Sequence, residues 1–250
     1  MFKLDNLELD YEPYPIGMIK PVLDPALYQE MVANYPPLDL FKFMPIFGKK
    51  YSLSDKWNPR EYKDFIESNP DWRDFYRYVK SDDFIFSIID AVKSKDIDLG
   101  INRKTQRLSA RWIKLLSNVA KARLPMTNPS IYSRFEFSVL PANGGLVVPH
   151  TDAPSKFITL VVSMIGPGEW NQKYDGGTEI LKPKDITKSY NFYNKQIPYE
   201  EVDTVKAFKF EPNQAVIFIK TYNSLHGVRE MNGPDDMMRR SLTINLATTT

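Results

Sequence analysis

The chain has 250 residues, 42% of them hydrophobic and 26% charged, with a formal charge of +2 from 33 basic and 31 acidic side chains. This is ordinary for one large globular domain and too evenly charged for net charge to hold it on nucleic acid or an anionic membrane. There is no cysteine, which excludes disulfides and thiolate metal sites; MFKLDNLELDYEP has no apolar signal core, and no run reaches the roughly 18 apolar residues of a membrane span, so a soluble, cytoplasmic protein is expected.

After the short apolar stretch IGMIKPVL, a helix is predicted from Asp24 to Tyr35. Asp24 can cap it, Pro25 suits its first turn, and Leu27, Met31 and Val32 share a face. PPLDLFKFMPIFGKKY breaks that pattern and reads as a loop. NPREYKDFIES, PDWRDFYRYVK and SDDFIFSIIDAVKSK each join a polar start to apolar residues at three- and four-residue spacing, as helices do. SARWIKLLSNVAKARL, residues 109–124, is a further amphipathic helix, and its basic residues read as a solvated face rather than a nucleic-acid surface.

From about Pro129 the period changes to two. SIYSRFEFSVL alternates, KFITLVVSMIG is a near-continuous apolar run, and GGTEILK, VKAFKFEP, QAVIFIK and RRSLTINLA follow between turn residues. Strands without intervening helices indicate an antiparallel barrel or jelly roll. The expected organisation is a largely helical support region over 1–128 and a β core over 129–250. The helices should pack on the outside of one sheet rather than form an independent domain.

The chemistry-bearing residues are sparse. The chain has two histidines, His150 in VVPHTDAP and His226 in SLHGV. Strand alternation would turn His150 and Asp152 to one side, where both can reach one ion. His226 follows the apolar strand QAVIFIK and is the remaining histidine. Two imidazoles and one carboxylate, with other positions open, suit Fe(II) that also binds a co-substrate and O2. On these residues alone, a metal site and a pair of structural histidines are equally compatible.

The order of motifs adds to this. SVLPANGGLVVPHTD is followed by KFITLVVSMIGPGEWNQKYDGGTEILKP and then by AVIFIKTYNSLHGVREMNGPDDMMRRSLTINLA. In this order over about residues 130–247, the chain resembles the 2-oxoglutarate- and Fe(II)-dependent dioxygenases of the prolyl-hydroxylase-like branch. The resemblance implies a double-stranded β-helix, a jelly-roll and cupin relative, with helices supporting one sheet. It places His150, Asp152 and His226 as iron ligands, with Fe(II), 2-oxoglutarate and O2 as the reacting partners. The implied activity is hydroxylation of a small-molecule or peptidyl substrate with release of succinate and CO2.

Two adjacent arginines compete for the far carboxylate of 2-oxoglutarate. Arg239 shares a strand face with Ser241, Thr243 and Asn245, whereas Arg240 shares one with Leu242, Ile244 and Leu246. A dianion needs the polar face, which selects Arg239, with Ser241 as a second contact. Thr159 and Ser163, four apart on the strand after HTD, share a face, and the resemblance implies that this strand supplies a hydroxyl to the co-substrate; relatives commonly carry a tyrosine there, and this chain has none. Gly176 and Gly177 are expected to allow close backbone approach, and Trp170 to pack. The long segment 182–203, with Tyr190, Phe192, Tyr193 and Tyr199, is expected beside the mouth of the barrel. The competing expectations are a catalytically silent β-barrel that binds a ligand or partner, and a cupin-type metal enzyme that does not use 2-oxoglutarate.

Overall fold

The computed structural model describes residues 1–45, 48–101 and 130–249. The helix expected over 109–124 and the boundary at 125–130 lie outside the described residues.

Among the described residues, twelve strands form two antiparallel sheets. The larger contains β1 (Leu7–Asp10), β2 (Ile16–Ile19), β3 (Lys42–Met44), β4 (Lys50–Leu53), β5 (Ile131–Pro141), β7 (Lys156–Ser163), β10 (Ala215–Ile219) and β12 (Met238–Thr248), in the order β1-β2-β10-β7-β12-β5-β4-β3. The smaller contains β6 (Val147–His150), β8 (Thr178–Pro183), β9 (Val202–Phe208) and β11 (His226–Val228), in the order β6-β11-β8-β9. Consecutive strands alternate between the two sheets through much of the C-terminal half, which is the winding of a jelly roll.

The stretch PPLDLFKFMPIFGKKY is not simply a loop. It contributes β3 and the start of β4, which extend the larger sheet by pairing β4 with β5, Ser52 opposite Ser138. Its residues show no two-residue period of their own; a partner far along the chain supplies the hydrogen bonds. Four strands from the N-terminal region therefore belong to the same sheet as β5, β7, β10 and β12.

Among the described residues, four α-helices, α1 (Pro25–Ala33), α2 (Pro59–Ser68), α3 (Pro70–Val79) and α4 (Asp82–Lys93), supply the apolar layer behind this sheet. Each has proline or an acidic residue in its first turn, and Asp24, Asn69 and Ser81 accept backbone N–H bonds as caps of α1, α3 and α4. Trp72 and Phe75 on α3 and Tyr62 on α2 meet Phe135 and Phe137 of β5 at ring separations of 4.6 to 6.4 Å, mostly edge to face. Truncating one such ring to alanine costs about 3–5 kcal/mol.

Strand alternation then divides β5 and β12. Phe135, Phe137 and Val139 join the helix-side core together with Leu242, Ile244 and Leu246. Arg134, Glu136, Ser138 and Leu140 line a cavity on the other face, together with Arg239, Ser241 and Thr243. The helices thus hold the sheet rigid from behind while its front carries polar side chains. No described helix is long and apolar enough to cross a membrane.

Candidate metal centre

His150, Asp152 and His226 come together between the sheets: one ligand atom from each lies within 4.8 Å of the others. His150 ends β6 and His226 begins β11, and the two are direct partners in the β6–β11 pairing, with ring centroids 4.4 Å apart. His150 Nε2 is 3.9 Å from Asp152 Oδ1, and His226 Nε2 is 4.0 Å from Asp152 Oδ2.

Asp152 does not reach the histidines by strand alternation. β6 ends at His150, and Asp152 has φ +70°, a left-handed turn conformation that aspartate tolerates better than most side chains. Lys220 braces this turn: its ammonium donates to the Thr151 and Asp152 carbonyls, both at 2.9 Å or less, and to Thr151 Oγ1 at 2.9 Å. Burial pushes Lys220 down to about 8, against the opposing pull of Asp152.

The imidazoles are oriented for metal. His150 Nδ1 lies 2.9 Å from the Val148 carbonyl and His226 Nδ1 2.9 Å from the Ser224 carbonyl. A carbonyl only accepts, so Nδ1 carries the proton and each Nε2 keeps its lone pair toward Asp152. Burial lowers both histidines, His226 to about 3, with His150 adding to the effect. Both are therefore neutral ligands at neutral pH. Burial alone would raise the Asp152 carboxyl, but Lys156, whose Nζ donates to Oδ1 at 2.6 Å, helps hold it well below the usual carboxylate range. The donor set of two neutral imidazoles and one carboxylate fits a borderline divalent metal such as Fe(II).

Thr159 lines the cavity and bonds this carboxylate. Its Oγ1 lies 2.9 Å from Asp152 Oδ2 and 3.0 Å from the Asn245 side-chain amide. A hydroxyl has one proton, so the consistent arrangement has Thr159 donating to Asp152 and accepting from the Asn245 NH2. Ser163 is buried but stands outside the cavity lining, paired with Ser241 across β7 and β12. Four residues along a strand is about 13 Å, too far for one small co-substrate to touch both hydroxyls.

Arg239 lines the same cavity and is only 3% exposed. Among the described residues its partners are the Gly176 carbonyl, which accepts from Nε at 2.6 Å, Ser241 Oγ at 3.4 Å, and the Phe210 ring, 4.1 Å from the guanidinium. None is anionic. Burial pushes it down to about 10, so it is still a full cation at neutral pH. Gly176 makes this seat possible, because it has φ +85° and a Cβ there would lie 2.9 Å from Trp170 and Met231 and 3.3 Å from Arg239 Cδ. Trp170 packs in the small core with Phe210 and donates Nε1–H to the Asp175 carbonyl. Arg240 faces the opposite way, binding both oxygens of Glu169 at 2.5 and 2.7 Å.

The loop between β8 and β9 runs over 184–201 and borders the site. Ile197 N donates to the Pro149 carbonyl at 3.0 Å, Thr151 donates to the Asn191 carbonyl, and Asn194 and Gln196 line the cavity. Tyr190 and Tyr193 remain exposed, Tyr190 stacked on Tyr222.

Lys156, Lys220 and Phe210 are residues around the site that sequence reasoning missed, and Asn245 was placed on the polar face without a role. Lys156 stands four residues after Asp152, and Asn245 continues the polar face of Arg239 and Ser241, so both had a local signal. Lys220 and Phe210 had none.

No family model matches the sequence, and no curated protein does. Solved structures do. A prolyl-4-hydroxylase from Pseudomonas putida is 11% identical, with 96% of each chain covered and a TM-score of 0.47. SnoN, a non-haem alpha-ketoglutarate-dependent epimerase from nogalamycin biosynthesis, is 12% identical over 93% of this chain and 78% of its own, at 0.46. HygX from Streptomyces hygroscopicus, solved with nickel and 2-oxoglutarate bound, is 9% identical over 94% and 83%, at 0.46. At such identities and TM-scores the chemistry has to come from this chain's own residues.

Proposed function

We propose that this chain is a 2-oxoglutarate-dependent non-haem iron dioxygenase that hydroxylates a small-molecule or peptidyl substrate. The observation that carries the reading is the pairing, in one cavity, of a two-histidine, one-carboxylate cluster with a buried arginine that has no anionic partner among the described residues. A buried cation without a counter-charge is costly, and a ligand carboxylate removes that cost. The metal cluster alone would suit a binding protein or another metal enzyme; the arginine adds the seat for a second carboxylate.

His150 and His226 would bind Fe(II) through Nε2, and Asp152 through a carboxylate oxygen. When bound, the metal with 2-oxoglutarate and O2 supplies the oxidising power to hydroxylate a C–H bond, yielding succinate and CO2. The protein's own part is placement. The Val148 and Ser224 carbonyls hold the imidazoles, while Thr159 and Lys156 hold Asp152. Arg239, with Ser241 beside it, grips the distal carboxylate through its planar fork, which a lysine does not reproduce. The 184–201 loop, through Asn194 and Gln196, borders the entrance and contributes to substrate binding and to excluding water.

The test is anaerobic addition of Fe(II) followed by 2-oxoglutarate. A weak visible charge-transfer absorption that requires both is expected, and it should be lost in His150→Ala, Asp152→Ala and His226→Ala. Metal binding by the wild-type protein with no spectral response to the keto acid would refute the reading.

A further inference from the structure

The cavity continues past the metal ligands and Arg239 onto the inner faces of β4 and β5, where neither metal nor co-substrate accounts for the lining. Ser52 on β4 is 1% exposed, lines the cavity, and its hydroxyl has no hydrogen-bond partner among the described residues. Buried hydroxyls are almost always paired, so an orphan aimed into a cavity marks a place where a ligand supplies the partner. Opposite it in the register stands Ser138, whose Oγ donates to Glu136 Oε1 at 3.3 Å; the same oxygen accepts from Lys50 Nζ. Arg134 continues the β5 row, and Lys56 stands at the rim with Nζ 4.5 Å from the centre of the Trp57 ring.

The charges on this shelf do not cancel. Lys50, Lys56 and Arg134 line it against Glu136 alone, and Asp55, outside the lining, answers Arg134 at 2.8 Å. One positive charge is left over. In the other half of the cavity a divalent metal and the 2-oxoglutarate dianion cancel, and Lys156 and Arg239 outnumber Asp152 by one. The cavity stays cationic when loaded, in a volume of about 350 Å³. That is near the lower end of the roughly 300–1,000 Å³ of ligand pockets, and 2-oxoglutarate must share it.

We infer that the Ser52–Lys50–Arg134 shelf binds an oxyanion, a carboxylate or phosphate, carried by a small substrate. This rests on the oxygenase reading above and narrows its substrate class. Lys50 and Lys56 supply the attraction, the Ser52 hydroxyl donates the orienting hydrogen bond, and Glu136 keeps Lys50 fixed on the floor. An uncharged substrate would cover the shelf without answering the one surplus positive charge, at a cost in affinity.

The test uses protein loaded anaerobically with Fe(II) and saturating 2-oxoglutarate, so that Arg239 is already occupied. Propionate, 3-hydroxybutyrate and glycerol 3-phosphate are titrated calorimetrically, each beside its uncharged counterpart: propionamide, 3-hydroxybutyramide and glycerol. At least one anion should bind saturably, with its counterpart about tenfold or more weaker. Lys50→Met should weaken that anion about tenfold or more while the keto-acid-dependent absorption is unchanged. Should Lys50→Met fail to fold because Glu136 is left alone, the double variant Lys50→Met/Glu136→Gln removes both charges together. Response to glycerol 3-phosphate alone assigns a phosphate, and response to the acids alone a carboxylate. The inference is overturned if no anion binds, if the neutral partners bind equally, or if binding survives Lys50→Met and disappears in Arg239→Met. Absence of the absorption before any probe is added counts against the oxygenase reading instead.

Discussion

Replacing Arg239 separates the two adjacent arginines and measures the co-substrate seat. Its guanidinium has five N–H donors. One is committed to the Gly176 carbonyl at 2.6 Å and one leans on Ser241 Oγ at 3.4 Å, which leaves three for a ligand. Two charge-assisted hydrogen bonds to a carboxylate, each worth about 1.5–3 kcal/mol and offset by displaced water, come to about 3 kcal/mol. Arg239→Met should therefore raise the Kd for 2-oxoglutarate about a hundredfold. Arg239→Lys keeps the charge but loses the fork, and about tenfold is expected. Arg240→Ala breaks the Glu169 pair on the helix side of β12 and should leave the Kd unchanged. The assay is anaerobic titration of the Fe(II)-loaded variants followed by the visible absorption. A thermal melt adds an independent reading. Arg239→Met removes a buried cation that has no anionic partner among the described residues, so the ligand-free Tm should not fall, while the Tm gain on adding 2-oxoglutarate should largely vanish. A defect in Arg240→Ala with normal binding in Arg239→Met would refute the assigned facing of β12.

Three further outcomes follow from contacts around the site. Thr159→Val removes the hydroxyl that orients Asp152 and should weaken Fe(II) binding about tenfold or more, measured by competition with a chelator. Gly176→Ala forces a side chain into φ +85° against Trp170, Met231 and Arg239 Cδ, so it should lower both Tm and 2-oxoglutarate affinity. Glu136 is opposed in its ionisation by burial but held below the ordinary carboxylate range by Lys50, then by Lys156 and Arg134. A depressed folded-state pKa adds stability that is present above the unfolded value of 4.5 and is lost as pH falls through the folded one. Glu136→Gln should flatten the stability profile of the metal-free protein below pH 4.5, and an unchanged acid limb in urea melts would remove this assignment.

Much of the molecule was legible because its signals are local. The two-residue period of β5 and β12 already sorted Arg239, Ser241 and Thr243 from Arg240, Leu242 and Ile244, and the structure puts the first set on the cavity and the second toward the helices or Glu169. The caps at Asp24, Asn69 and Ser81 and the apolar spacing of α1 to α4 are likewise properties of a few neighbouring residues. The three candidate ligands stood out because the chain has only two histidines and one of them lies in HTD.

Tertiary structure decided what depends on partners distant in sequence. Lys42–Met44 and Lys50–Leu53 are strands because β5, some ninety residues on, pairs with β4; their own residues carry no period. Asp152 meets the histidines through a left-handed turn braced by Lys220 from β10's end, not through the alternation its spacing suggests. Thr159 supports Asp152 because the register of β7 on β12 brings Asn245 against it and the chain reversal after β6 brings the carboxylate, a contact that its place in the sequence does not announce. The orphan hydroxyl of Ser52 is the furthest from any sequence signal. A serine in a strand reads the same whether its hydroxyl is paired, solvated or waiting in a cavity, and only the packing of two sheets distinguishes these cases.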